Sequence, residues 1–224
     1  MIGTSLLRTG TGLLLLVATA TTTTATTAAP AARHRAGAST EIDWPQFRFD
    51  RQHNGDQPFE STLNRKNIPS AGLLWQGDLG GELVDMSSPA VAGGVVYIGE
   101  FDGNFAAYSA DGCGASECDN PLWTASLAEI DDSPAVANGI VYIGSQTNFS
   151  DASLKLNAFD AGGCGQAVCM PLWQGDAGPI FSESSPTVWK DTVFIGGGDG
   201  NLYAFRAKGC GKALCKPRDR KSVV

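Results

Sequence analysis

From Ala90 onward, apolar and polar positions alternate over short stretches, and the stretches recur. Three β-rich runs stand out: Val95-Val96-Tyr97-Ile98-Gly99, Ile140-Val141-Tyr142-Ile143-Gly144 and Thr192-Val193-Phe194-Ile195-Gly196. Each follows a Ser-Pro element, namely Ser88-Pro89-Ala90-Val91, Ser133-Pro134-Ala135-Val136 and Ser185-Pro186-Thr187-Val188. Each leads into a further run: Asn104-Phe105-Ala106-Ala107-Tyr108, Lys155-Leu156-Asn157-Ala158-Phe159 and Asn201-Leu202-Tyr203-Ala204-Phe205. A last element centres on Trp, in Pro121-Leu122-Trp123 and Pro171-Leu172-Trp173, with Leu73-Leu74-Trp75 left over from a preceding unit. Dense β-branched and aromatic residues in short runs predict strands. The joints read as hairpin turns: Ala92-Gly93-Gly94, Ala137-Asn138-Gly139, Asp102-Gly103 and Asp199-Gly200. In the middle unit a longer loop, Gln146 to Ser153, replaces the Asp-Gly turn. Such an insertion is a place for specificity, although most are neutral.

Four short strands per unit, with Trp75, Trp123 and Trp173 spaced 48 and 50 residues apart, predict propeller blades. The expected fold class is all-β: a partial β-propeller of about three four-stranded blades (87–127, 132–176 and 184–217) plus a preceding Trp strand. A seven- or eight-bladed ring needs about 350 to 400 residues, and the chain has 224. An open arc exposes strand edges, which predicts association through them. One Trp per unit predicts packing between blades, each indole N–H reaching a backbone partner.

Glycine is abundant at 28 residues, which suits many tight turns. The net charge is −7, and no Lys or Arg occurs between Lys66 and Lys155. Such a surface repels phosphate, so nucleic acid is excluded as a partner. Arg8 followed by the apolar Gly12–Ala18 resembles an export signal, with small-residue cleavage sites at Ala18-Thr19-Ala20 and Ala29-Pro30-Ala31. The run is too short for a transmembrane span; an uncleaved anchor is the alternative. The first cysteine is Cys113, so no lipid-anchor cysteine lies near these sites. The Thr/Ala-rich stretch to Thr40 reads as a flexible linker, giving a domain plan of 1–40 signal and linker and 41–217 propeller. The expected location is extracellular or periplasmic, where disulfides are permitted.

All six cysteines occupy one position of the repeat, as Cys113/Cys118, Cys164/Cys169 and Cys210/Cys215. A disulfide within each loop and a zinc site are the two readings. Zinc needs four ligands and each loop offers two, while the only histidines, His34 and His53, precede the repeats. Local disulfides are favoured, each removing about 2.2 kcal/mol of unfolded-chain entropy.

These repeats resemble the quinoprotein-like propeller family. The blade pattern Ser-Pro-x-Val, Val-Tyr-Ile-Gly, Asp-Gly-x-x-x-Ala, Leu-Trp carries the likeness. Asp43-Trp44-Pro45-Gln46-Phe47-Arg48 with His53-Asn54-Gly55 resembles the lead-in before a first blade. The resemblance implies a propeller. In the family's dehydrogenases it also implies pyrroloquinoline quinone (PQQ) on the ring axis, with calcium, an Asp base and commonly a disulfide between adjacent cysteines. No adjacent cysteine pair occurs here. Asp85, Asp131, Asp132 and Glu183 precede the first strands, where loops approach the axis, but no calcium set or other cofactor is assignable from them.

No hydrolase, metalloprotease, phosphate-loop or EF-hand motif appears. The expected function is a secreted, non-catalytic binding or scaffold module for an unidentified protein or small-molecule ligand. A fragment of a PQQ-dependent dehydrogenase oxidising alcohols or sugars is the alternative. After Pro217 the apolar pattern stops, and Asp219–Val224 matches one reading frame of a common sequencing adapter, which predicts a non-native tail over 218–224.

Overall fold

The structure, a computed structural model, describes residues 43–80, 87–147, 153–179 and 183–222, the last four as backbone. The chain divides into Met1–Pro30 and Ala31–Val224. The first unit, and with it the expected signal, lies outside the described residues, as do His34 and Asp85. All the described strands belong to the second unit.

After a short 3-10 turn at Ile68–Ser70, strand β1 (Gln76–Gly77) is followed by three blades. The first contains β2 (Ala90–Ala92), β3 (Val95–Gly99), β4 (Asn104–Ser109), the short loop strand β5 (Glu117–Cys118) and β6 (Trp123–Ser126). The second contains β7 (Ala135–Ala137), β8 (Ile140–Gln146), β9 (Leu154–Asp160) and β10 (Trp173–Asp176). The third contains β11 (Thr187–Trp189), β12 (Thr192–Gly196), β13 (Asn201–Arg206), the loop strand β14 (Leu214–Cys215) and β15 (Asp219–Ser222). Within each blade the four main strands run antiparallel in sequence order, and the first strands of neighbouring blades touch. Among the described residues the only helical element is the 3-10 turn.

Local chemistry explains the joints. Gly93 and Gly94 both have positive φ, as do Asn138 and Gly139, which is what a two-residue hairpin turn of matching twist requires. Third strands are buried on both faces: Phe105, Ala106, Ala107 and Tyr108 are all core residues. Alanine at Ala107, Ala158 and Ala204 leaves room beside the next layer. Two clusters form the core, and each spans two blades, one joining Tyr97, Phe105 and Trp123 to Phe159 and the other joining Tyr142 and Trp173 to Phe205.

The blades are clasped at the rim by the cysteine loops. The six cysteines pair as Cys113–Cys118, Cys164–Cys169 and Cys210–Cys215. Each closed loop reaches back to the preceding Trp strand and pairs with it in parallel: β5 on β1, Val168 on Thr124, and β14 on β10. Each staple therefore closes its own loop while that loop joins two blades.

One expectation needs correction. Trp75 Nε1 donates to the carbonyl of Ala110 at 3.1 Å, but the indole N–H groups of Trp123 and Trp173 are buried without a partner. The equivalent carbonyls, Ala161 and Ala207, instead accept from the hydroxyls of Tyr97 and Tyr142, each at 2.9 Å. Beyond Pro217 the chain pairs once more with the third blade. Asp219–Ser222 runs antiparallel to β13, with Asp219 opposite Ala204. Main-chain pairing along an open strand edge does not require an apolar side-chain pattern, so the polar sequence of this segment hid the strand.

Candidate functional site

The Ser-Pro elements build the axial face. Ser88 N donates to Ser133 Oγ at 2.8 Å, and Ser133 N donates to Ser185 Oγ at 3.0 Å. Serines of successive blades are thereby linked hand to hand. The residue before each serine caps the equivalent glycine of the second strand: Ser87 Oγ accepts from Gly99 N (3.4 Å), Asp132 Oδ2 from Gly144 N (2.9 Å) and Ser184 Oγ from Gly196 N (3.0 Å).

The middle blade departs from this scheme by carrying a carboxyl. Asp132 is 3% exposed and its Oδ1 has no partner among the described residues. Burial pushes its pKa well above the usual carboxylate range, the Gly144 hydrogen bond opposes that, and the charge of Asp131 adds to it. Asp131 is buried as well and accepts from Gln146 Nε2 at 2.5 Å. Gln146 also anchors the inserted loop, most of which lies outside the described residues; its ends meet where Ser153 N donates to Thr147 Oγ1 at 3.1 Å. Burial also raises the phenols of Tyr97 and Tyr142, so both stay protonated hydroxyl donors.

The lead-in segment is a strap across the inner strands. Trp44 exchanges backbone hydrogen bonds with Val91 of the first blade (2.7 and 2.8 Å). Pro45 O accepts from Val136 N of the second (2.7 Å). His53 Nε2 meets Thr187 Oγ1 of the third at 3.0 Å. Between strap and blades lies a cleft of about 300 Å³. Its walls are Phe47 and His53 from the strap, Asp131 and Ser133 from the second blade, and Glu183, Ser184 and Ser185 from the third.

Of the acidic residues singled out in the sequence, Asp131 and Glu183 share this cleft, whereas Asp132 turns to Gly144. Among the described residues, no three His, Cys, Asp or Glu side chains come together to hold a metal ion. The strap leaves little signal in the sequence as a site element, because its contacts rest on backbone groups, the Asp43 carboxylate accepting from Gly93 N (3.0 Å) and one imidazole. Asp132 is detectable in principle: it is the acidic member of an aligned set otherwise made of Ser87 and Ser184.

No family model and no curated protein matches the chain. Among solved structures, the chain is similar to the quinohemoprotein alcohol dehydrogenase of Comamonas testosteroni. The TM-score is 0.58 and the identity 20%, over 84% of this chain and 28% of that one. It is also similar to a quinohemoprotein alcohol dehydrogenase of Pseudomonas putida HK5, with a TM-score of 0.57 and 19% identity over 80% of this chain and 26% of that one. A europium-containing methanol dehydrogenase gives a TM-score of 0.55 and 16% identity, over 76% and 31% of the two chains. The chain is a partial β-propeller. At these identities the likeness is one of fold. The chain spans less than a third of the length of these solved structures. The propeller places its cleft at the inner strands and its disulfides at the rim. No described helix is long and apolar enough to cross a membrane.

Proposed function

We propose that this propeller is an exported, non-catalytic binding or scaffold module whose ligand face is the axial cleft. One observation supports this above others: the polar side chains there are spent on structural hydrogen bonds, some between blades and some within one. Ser133 and Ser185 receive backbone N–H groups across blade boundaries, Ser184 and Asp132 cap Gly196 and Gly144, and Asp131 holds Gln146. His53, the only imidazole among the described residues, ties the strap to β11 through Thr187. The cleft is acidic and its lining contains no Lys or Arg, so a neutral or cationic ligand fits it better than an anion. Three disulfides accord with export to an oxidising compartment.

Asp131 is engaged by Gln146 and Asp132 holds Gly144 through one oxygen, and among the described residues no three His, Cys, Asp or Glu side chains gather, which supports the scaffold reading over calcium beside a quinone. The deciding experiment adds PQQ and calcium to the purified chain and follows dye-linked oxidation of alcohols and sugars. No quinone binding and no turnover is expected. Saturable turnover would replace the scaffold reading with the dehydrogenase one.

A further inference from the structure

Five residues occur twice without change: Leu74-Trp75-Gln76-Gly77-Asp78 and Leu172-Trp173-Gln174-Gly175-Asp176. The second copy forms β10, which is held on both edges, antiparallel by β9 and parallel by β14. The first forms β1, which has β5 as its parallel partner and no other strand among the described residues. The uncovered edge is the one that receives the third strand of a blade. Burial records the difference: Trp123 and Trp173 are 2% and 4% exposed, Trp75 is half-buried, and Leu73 and Leu74 are each 78% exposed.

The third blade is the complement of this edge. Trp123 stands opposite Ala107 and Trp173 opposite Ala158, but Ala204 faces Asp219. Its fourth strand therefore contains no indole. A second position sharpens the match. Where blades join, Tyr97 and Tyr142 each donate to a carbonyl of the following blade. In front of the first blade the corresponding carbonyl, Ala110, already accepts from Trp75 Nε1. A blade seated there fits best with no hydroxyl at that site, and the third blade has Phe194, paired with Thr187 as Tyr97 pairs with Ala90.

We propose that copies of this chain associate head to tail, β1 of one copy replacing β15 as the fourth strand of the third blade of another. This rests on the fold alone and not on the ligand reading. The repeat register sets Trp75 opposite Ala204 and Asp78 opposite Asn201, as Trp173 lies opposite Ala158 and Asp176 opposite Lys155. In the second blade that last pair is an ion pair at 3.0 Å. Association finishes the burial of Trp75 by covering the edge of β1 that no described strand covers, and it releases β15 from β13. Such a heterologous contact builds rings or open chains according to whether the rotation closes.

The test is sedimentation velocity of the full, disulfide-intact chain across a wide dilution series. Mass at multiples of the monomer, falling on dilution, is expected. Asn201→Lys sets a cation opposite Asp78 and should tighten association about threefold; adding Asp78→Lys opposes like charges and should reverse the gain. Circular dichroism checks that both variants remain folded. A monomer at every concentration overturns the proposal. So does association of equal strength in all three proteins, because the contact then lies elsewhere.

Discussion

The indole of Trp173 lies on Gly209 of the following blade, where a β-carbon would come within 2.6 Å of Cδ1. Gly163 meets Trp123 at the same 2.6 Å, and Gly112 meets Trp75 at 2.7 Å. All three glycines have positive φ. Close approach and left-handed backbone both demand glycine here. Gly211, two residues on, has φ +79 but open space around it. Gly209→Ala should cost roughly 2–4 kcal/mol and Gly211→Ala about 1–2 kcal/mol, by denaturant unfolding. Equal losses would show that backbone strain alone matters and that the indole contact does not.

Asp132 should make stability depend on pH. Its folded pKa is raised, so the folded protein holds the proton more tightly than the unfolded chain. Stability from this group is full below the unfolded value of about 3.9 and is lost as pH rises toward the folded pKa. Asp132→Ser restores the residue type of Ser87 and Ser184 and should flatten that decline, leaving the variant more stable at neutral pH. Parallel melting curves for the two proteins across this range would refute the assignment.

Tyr142→Phe tests the shared carbonyl. Losing the bond to Ala207 O leaves an acceptor beside Trp173 Nε1, which has no partner in the wild type. The indole should take it, as Trp75 takes Ala110. A downfield shift of the Trp173 indole proton is expected, with a stability loss under about 1 kcal/mol. An unmoved resonance with a larger loss contradicts this.

Replacing Cys164 and Cys169 together by Ser should cost about 2 kcal/mol through loop entropy. The loop also carries Cys169 N to Thr124 O at 2.7 Å across the blade boundary. Trp123 should therefore become more quenchable while the secondary structure persists. Unchanged quenching would mean that the clasp holds without its staple.

The strands, their hairpin turns and the between-blade Trp positions were legible because each depends on local pattern and repeats. Asp131 and Glu183 could be picked out as loop acids before first strands, but not as walls of one cleft, since 52 residues separate them. Their meeting depends on how one blade is rotated against the next.

What the chain determines by itself is the blade: a period of about fifty residues, with glycine, serine and tryptophan at set places, dictates each four-stranded sheet through neighbours close in sequence. Only the tertiary structure decided which partner each polar group received. Tyr97 and Tyr142 hold the carbonyls equivalent to the one Trp75 takes, two indoles are left without a partner, Asp132 is buried with one oxygen unpaired, the lead-in crosses three blades, and a polar segment pairs with the third. These outcomes are contests between groups distant in sequence for the same acceptor, volume or strand edge. Local propensity does not register such contests, because both contenders are chemically competent until the fold brings one of them nearer.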